Sequence, residues 1–311
     1  MERIVVIGAG TMGLRICRHF IRASHPVALV DPSAEALEKA QEFFSGTHHG
    51  PSLHSSLQDL PQHWRDAGII IEAVPENLDL KRRIIADLEL YFDESTTIAS
   101  NTSGLRTAEL TAGMIYPDRF VITHFFNPAD LIPAVEVVPS DATSTETVER
   151  ITRILETSGK KVARLAADIP GFIANRLQHA MLRECFHLID SGVADAETID
   201  IVTQYSLGVR LALIGPLLQR DLNGLDIHLN IARYLYPDLD AHQEPATCLV
   251  KKVDNGDLGR KTGRGFYEWD DAQREKIERI EHLLPTLVNM ASLSQDGENE
   301  TNEENSPCQN G

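Results

Sequence analysis

The 311-residue sequence predicts an α/β protein, a doubly wound parallel sheet followed by an all-helical C-terminal domain. Three observations carry this. Short β-branched apolar runs recur through the first half of the chain, polar stretches with helical apolar spacing separate them, and after residue 163 the short runs give way to long helical periodicity. Apolar runs buried on both faces, with helices between them, are what a parallel sheet covered on both sides requires.

The first two runs are 4–8 (IVVIG) and 27–31 (VALVD), and between them Met12, Ile16 and Phe20 recur every four residues, as one face of a helix does. Further runs follow at 69–74 (IIIEAV), 97–99 (TIA) and 120–123 (FVIT), with helical spacing over 78–92 and a strand-forming AVEVV at 134–138. Pro170-Gly171 then breaks the chain. Beyond it Ile173, Leu177, Ala180, Met181, Cys185 and Leu188 keep helical spacing for five turns. The expected organisation is a nucleotide-binding domain over 1–168, a helical substrate and dimerisation domain over 169–294, and an acidic tail over 295–311. That tail holds Asp296, Glu298, Glu300, Glu303 and Glu304 with no Lys or Arg, a composition that predicts disorder. Phe20, Phe43 and Phe44 are read as core, and His48, His49 and His54 as a solvated Gly/Pro/Ser loop, with no metal.

Composition narrows the function. With 29 Lys+Arg against 46 Asp+Glu the net charge is −17, a poor complement to a polyanion, so no nucleic-acid partner is expected. No apolar run approaches the ~18 residues that a membrane span needs, so no membrane partner is expected either. Cys17, Cys185, Cys248 and Cys308 are too scattered for a disulfide framework, and the N-terminus enters an apolar strand at once, leaving no room for a removable targeting peptide. A soluble, cytoplasmic protein is the expectation.

Gly8-Ala9-Gly10-Thr11-Met12-Gly13 is GxGxxG placed where a strand ends and a helix begins. Gly8 permits the tight turn, Gly10 lets the backbone approach a pyrophosphate, Gly13 allows close helix packing, and the helix N-terminus supplies partial positive charge. Asp31 lies 18 residues past Gly13 at the end of the second strand, where a carboxylate accepts hydrogen bonds from ribose hydroxyls and repels a 2′-phosphate. The unit is Rossmann-type and the cofactor it predicts is NAD.

Glu136 sits among apolar strand residues, and a carboxylate buried there costs several kcal/mol unless it is paired or hydrogen-bonded. His124 closes the preceding strand at the ligand-binding end of the sheet, and a His–carboxylate pair there would fix the imidazole tautomer for proton transfer.

VIGAGTMG (6–13), ENLDLK (76–81), SNTSGL (100–105), HFFNP (124–128), VEVV (135–138), DIPGFIANR (168–176) and GRKTGRGFYEW (259–269) together resemble the 3-hydroxyacyl-CoA dehydrogenase family over most of 1–270. The resemblance implies the following roles. His124 is the general base, Glu136 orients and charge-balances it, and Ser103 and Asn175 hydrogen-bond the substrate oxygen. Asn101 seats the nicotinamide, Ala73, Glu76 and Lys81 belong with Gly8, Gly10, Thr11, Met12, Gly13 and Asp31 to the cofactor site, and Asn127 shapes the loop beside His124. A homodimer through residues from about 170 onward is implied as well.

Two departures bear on substrate. In acyl-CoA-specific relatives a long helical hairpin carrying lysines follows the second strand. Here 32–71 is short for it and sets only Lys39 and Arg65 against Glu35, Glu38, Glu42, Asp59 and Asp66. The segment GVRLALIGP at 208–216 is similar to the branch that includes L-gulonate 3-dehydrogenase, carnitine dehydrogenase and a pyridoxine-degradation dehydrogenase, which act on free hydroxy acids. Arg210 is then a candidate clamp for a substrate carboxylate, its alternative a surface or interface salt bridge. The expected activity is NAD-dependent oxidation of a 3-hydroxy group β to a carboxyl or acyl carbonyl. The expected substrate is a small free hydroxy acid, with the acyl-CoA thioester and a non-catalytic, crystallin-like NAD-binding protein as alternatives.

Overall fold

The computed structural model describes residues 1–47 and 49–296, which form two compact units, Met1–Arg176 and Leu177 onward. The first unit holds strands β1 (Ile4–Ile7), β2 (Val27–Val30), β3 (Ser52–His54), β4 (Ile69–Glu72), β5 (Thr97–Ser100), β6 (Phe120–Phe125), β7 (Ala134–Pro139) and β8 (Lys161–Arg164). Between them run α1 (Thr11–Arg22), α2 (Ala34–Phe43), α3 (Leu78–Tyr91), α4 (Thr107–Leu110) and α5 (Thr145–Thr157). One sheet results, in the order β3-β2-β1-β4-β5-β6-β7-β8.

The reason is legible in the strands, where β1, β2, β4 and β5 are buried at every residue and alternate side chains go to opposite layers. Ile4, Val6, Leu29, Ile69, Ile71 and Val121 face one layer, closed by Phe20 of α1 and by Ile151 and Leu155 of α5. Val5, Ala28, Val30, Ile70, Ile98 and Ile122 face the other, closed by Ile85 and Leu88 of α3. Each such large side chain, fully buried, contributes roughly 1.5–3 kcal/mol. Side-chain oxygens of Ser33, Asn77 and Ser144 accept from backbone N–H groups and start α2, α3 and α5.

One expectation is corrected here, because β7 runs antiparallel to β6 while every other pair is parallel. Only eight residues, 126–133, join the two strands, and a parallel return needs a crossover of a dozen or more (~12). The reversal sets the register that places His124 directly opposite Glu136.

The second unit continues α6 (Ala174–Asp190), whose first turn belongs to the first unit, through α7 (Ala196–Val202), a π-helical turn at Thr203–Gly208, α8 (Val209–Leu211), α9 (Pro216–Asn223), α10 (Leu225–Leu235), α11 (Thr247–Asp254) and α12 (Asp271–Asp296). The Gly-rich segment 259–266 folds as a bridged turn, pairing Gly259 with Arg264, and Phe266 stacks on Phe186 at a centroid separation of 5.7 Å. Apolar side chains that define these helices stay exposed, Leu177 at 60% and Leu217 at 81% among them. No single helix among the described residues is long and apolar enough to cross a membrane.

Two local expectations shift. His54 ends the edge strand β3 rather than lying in a loop, whereas His48 lies outside the described residues. Helix α12 runs to Asp296, two residues into the stretch expected to be disordered, and the rest of the acidic tail, 297–311, lies outside the described residues.

Candidate active site

The glycine turn after β1 is built as a cradle. Gly8 has a φ of +104°, and a Cβ there would lie 2.8 Å from the carbonyl oxygen of Ala73. A Cβ on Gly13 would come within 1.9 Å of the carbonyl oxygen of Gly8, so the helix packs on its own turn only because this residue is glycine. Over Gly10 there is open space, with nothing within 4 Å of a Cβ. Helix α1 starts at Thr11 with no side-chain cap and no acidic residue in its first turn, so its N–H groups remain available to an anion. Asp31 is pre-aimed beside them: its Oδ2 accepts from the Ala9 N–H at 2.7 Å and its Oδ1 from the Ser33 N–H at 2.9 Å. Open space above the turn, free helix N–H groups and an oriented carboxylate fit a dinucleotide with an unsubstituted adenine ribose.

Beside this turn lies a cavity of about 350 Å³, lined by Met12, Ala73, Val74, Glu76, Asn101, Ser103, His124, Phe125, Phe126, Asn127 and Asn175. His124 is 6% exposed and its Nδ1 lies 2.8 Å from Glu136 Oε2. The other carboxylate oxygen, Oε1, accepts from the backbone N–H groups of Ile173 and Ala174 at 2.9 Å each, where α6 begins. Burial alone would push the Glu136 carboxyl up, but the bond from His124 and the two N–H groups outweigh it and hold it below the usual carboxylate range. An ionised Glu136 only accepts, so Nδ1 of His124 carries a hydrogen toward it, and in that tautomer the lone pair of an uncharged imidazole is at Nε2. Phe126 and Phe172 pack edge-on and tilted against the imidazole, with centroids at 4.7 and 5.5 Å.

Asn101, just past β5, accepts through Oδ1 from the Phe125 N–H at 2.9 Å. A backbone donor fixes the amide orientation, leaving its NH2 for the cavity. Asn175, in the first turn of α6, donates through Nδ2 to the Ser103 carbonyl at 3.0 Å, which ties together the two residues expected to hold a substrate oxygen. Asn127 lines the cavity on the 126–133 loop.

Lys81 is placed differently from an exposed lysine at a helix start. It is 1% exposed, and its Nζ lies 2.7 Å from Glu72 Oε1, 3.4 Å from Glu76 Oε2 and 3.3 Å from the Val74 carbonyl. Glu72 and the Val74 carbonyl accept hydrogen bonds from it and Glu76 pairs with it by charge, so of this group Glu76 is the member that meets the cavity. Glu76 also accepts from the Thr102 hydroxyl and from the Ser103 N–H at 3.2 Å.

Three side chains escaped the sequence reading. Glu72 is fully buried at the end of β4, and the signal was present, since IIIEAV sets a carboxylate in an apolar strand just as AVEVV does. Thr102 and Phe172 carried no such signal. Phe172 has a φ of +50°, a strained position for a non-glycine residue, and it puts a buried ring on His124. Arg210 belongs to the second unit, where it is exposed and has no ion-pair partner among the described residues. The cavity wall itself contains no Lys or Arg.

The chain matches two family models in sequence order: 3-hydroxyacyl-CoA dehydrogenase, NAD binding domain, over residues 3–169, and 3-hydroxyacyl-CoA dehydrogenase, C-terminal domain, over 171–269. It is 30% identical over 290 residues to 5-formyl-3-hydroxy-2-methylpyridine 4-carboxylate 5-dehydrogenase of Mesorhizobium japonicum, covering 89% of this chain and 94% of that one. It is 33% identical over 286 residues to a probable 3-hydroxybutyryl-CoA dehydrogenase of Bacillus subtilis, covering 87% and 98%. A crystal structure of 5-formyl-3-hydroxy-2-methylpyridine 4-carboxylic acid 5-dehydrogenase, described as an NAD+ dependent dismutase, is similar with a TM-score of 0.86 at 28% identity, covering 95% of this chain and 99% of that one.

Proposed function

This chain belongs to the 3-hydroxyacyl-CoA dehydrogenase family of NAD-dependent oxidoreductases acting on CH–OH groups, and from that premise we propose that it oxidises a small free 3-hydroxy acid, with His124 and Glu136 as its proton-transfer pair. The observation that carries the proposal is the chain of bonds from the start of α6 through Glu136 to His124 Nδ1, which leaves Nε2 as a base on the cavity that the glycine turn adjoins.

Bound in the glycine turn and cavity, NAD would supply the hydride acceptor for the carbinol carbon. His124 Nε2 takes the hydroxyl proton as the carbon–oxygen double bond forms, and the imidazolium that results is balanced by Glu136. Ser103 and Asn175 hold the reacting oxygen, and donors of that kind are worth a few kcal/mol (~2.7–4) when fixed in place beforehand. Asn101, tied to the Phe125 backbone, presents its amide to the nicotinamide side. Asp31, Glu76 and the α1 N-terminus hold the rest of the cofactor, and Lys81 keeps Glu76 in place from beneath.

The preference for a free acid over a thioester is supported by how the two cations of the 32–71 segment are used. Lys39 is paired with Glu35 at 2.6 Å and the Arg65 guanidinium lies 4.8 Å over the Tyr91 ring, and the two stand against Glu35, Glu38, Glu42, Asp59 and Asp66, a net negative surface that does not favour the phosphates of a CoA. Arg210, exposed and with no ion-pair partner among the described residues, is the side chain this reading assigns to the substrate carboxylate. NADH oxidation is measured with acetoacetyl-CoA and with a panel of free 3-oxo acids at matched enzyme and cofactor. Turnover confined to free acids, lost in Arg210→Ala through a raised KM, is expected. Rapid turnover of the thioester would overturn the substrate assignment and leave the His124–Glu136 reading intact.

A homodimer belongs to the same proposal, supported by the exposed Leu177 and Met181 on α6 and the exposed Leu218, Leu222, Leu225 and Leu229 on α9 and α10. Sedimentation of a species of twice the chain mass is expected. A single species of the chain mass would overturn this part.

A further inference from the structure

Behind the cavity wall two carboxylates share one ammonium, and one of the two, Glu76, lines the cavity itself. Glu72 is fully buried at the tip of β4 and accepts from Lys81 Nζ at 2.7 Å, from the Ser100 hydroxyl at 2.5 Å and from the Val74 N–H at 2.8 Å. Glu76 takes the far side of the same ammonium at 3.4 Å, its side chain 43% exposed and facing the cavity. The group therefore carries one uncompensated negative charge, and apart from Glu76 the only ionisable residue lining the cavity is His124. A buried lysine needs one carboxylate for neutrality; the second makes the wall anionic.

We infer that the Glu72–Lys81–Glu76 triad tunes the redox state of the cofactor this site retains, favouring the oxidised nicotinamide, whose ring is cationic, over the neutral reduced ring. The inference rests on the reading above that the nicotinamide enters this cavity to meet the substrate at His124. The two forms of the cofactor share the same adenosine, riboses and pyrophosphate, so a charge on the wall is felt differently only through the ring. Within a cavity of this size, at an effective dielectric of about 20, one unit of charge changes the ratio of the two affinities by roughly tenfold. By linkage, tighter retention of the oxidised form displaces the equilibrium on the enzyme toward the hydroxy acid.

Glu72 is thus a positioning residue that acts through Lys81. Shape and packing at the cofactor site affect both redox states alike, whereas charge affects their ratio. The test is a titration of the full-length protein with NAD+ and with NADH by calorimetry, for wild type, Glu72→Gln and Glu76→Gln. Each variant removes one carboxylate charge and brings the triad to neutrality, one from the buried end and one from the exposed end, so a folding failure of the buried variant leaves the other readable. The expected result is a roughly tenfold fall in preference for NAD+ over NADH in each variant. Parallel weakening of both forms, with the ratio within about twofold of wild type, overturns the inference and leaves the site assignment standing. A wild type that binds neither form overturns both.

Discussion

Replacing Glu136 with Gln tests the proton-transfer pair with almost no change in volume. The wild-type carboxylate is used at both ends, with Oε1 accepting from two backbone N–H groups at 2.9 Å and Oε2 accepting from His124 Nδ1 at 2.8 Å. An amide has one oxygen, and the Ile173 and Ala174 donors, fixed at the start of α6, claim it because turning the NH2 toward them would oppose donors to donors. The NH2 then faces Nδ1, which must become the acceptor, so the ring hydrogen moves to Nε2 and the lone pair leaves the cavity. General base catalysis contributes about 10²–10⁴-fold, and a wrong tautomer imposed on an orienting carboxylate costs about 10⁴-fold in a serine-protease triad, so a loss of about 10³-fold in kcat is expected. That is about 4 kcal/mol of transition-state stabilisation. NADH affinity, set largely at the glycine turn and Asp31, should stay within about threefold of wild type, since a loss confined to the transition state leaves ground-state binding alone. Stopped-flow NADH oxidation gives the first quantity and fluorescence titration the second. The stability of the variant carries its own sign. Glu136 has a lowered folded-state pKa, so its contribution is present above the ordinary carboxylate range and lost as pH falls through the lowered value. The gap in unfolding free energy between wild type and Glu136→Gln should therefore narrow toward acid. A variant that keeps kcat within tenfold of wild type would falsify the tautomer argument.

Gly10→Ala and Gly13→Ala should separate cofactor binding from folding. The first adds a methyl into open space and is expected to leave Tm unchanged while weakening NADH binding tenfold or more; the second places a Cβ 1.9 Å from the Gly8 carbonyl and should lower Tm as well. Asp130 is buried in the 126–133 loop with Arg15 at 2.8 Å, Arg18 at 3.5 Å and Arg22 at 3.8 Å. Because those arginines are partly exposed, Asp130→Ala is expected to cost about 2 kcal/mol by urea unfolding, below the ~3–5 of a fully buried pair. Lys160 is pushed down to about 8 by burial, with Asp130 opposing, while its Nζ donates to the Ala129 and Ile132 carbonyls at 2.6 and 2.7 Å. The folded protein then sheds this proton before the unfolded chain does, so the burial cost is present at neutral pH and is relieved as pH rises from about 8 toward 10.5. Lys160→Met should flatten that segment of the stability profile, and an unchanged slope would refute the assignment.

Much of the molecule is legible in its sequence. GxGxxG followed by Asp31 specified the cofactor turn because each position answers a local steric or electrostatic demand, and such demands are written in single residues. Glu136 in an apolar strand announced that a partner must exist, and His124 at a strand end was the natural one. The same logic applied to Glu72 would have predicted a buried partner for it, and there the reading stopped short: an isolated carboxylate in IIIEAV says only that something pairs with it, and Lys81, nine residues on, was assigned to the cofactor rather than to Glu72.

What the sequence by itself determined, then, was the alternation of buried strands and amphipathic helices, the glycine turn and the chemical types needed at the site, since these follow from periodicity and from the preferences of individual residues. Only the tertiary structure decided which groups meet. The antiparallel return of β7 places Glu136 in register with His124, the start of α6 delivers the two N–H groups that fix the carboxylate, and the left-handed Phe172 puts its ring on the imidazole. Those contacts join residues tens of positions apart, and their geometry is set by how strands and helices pack rather than by any property the separate segments carry.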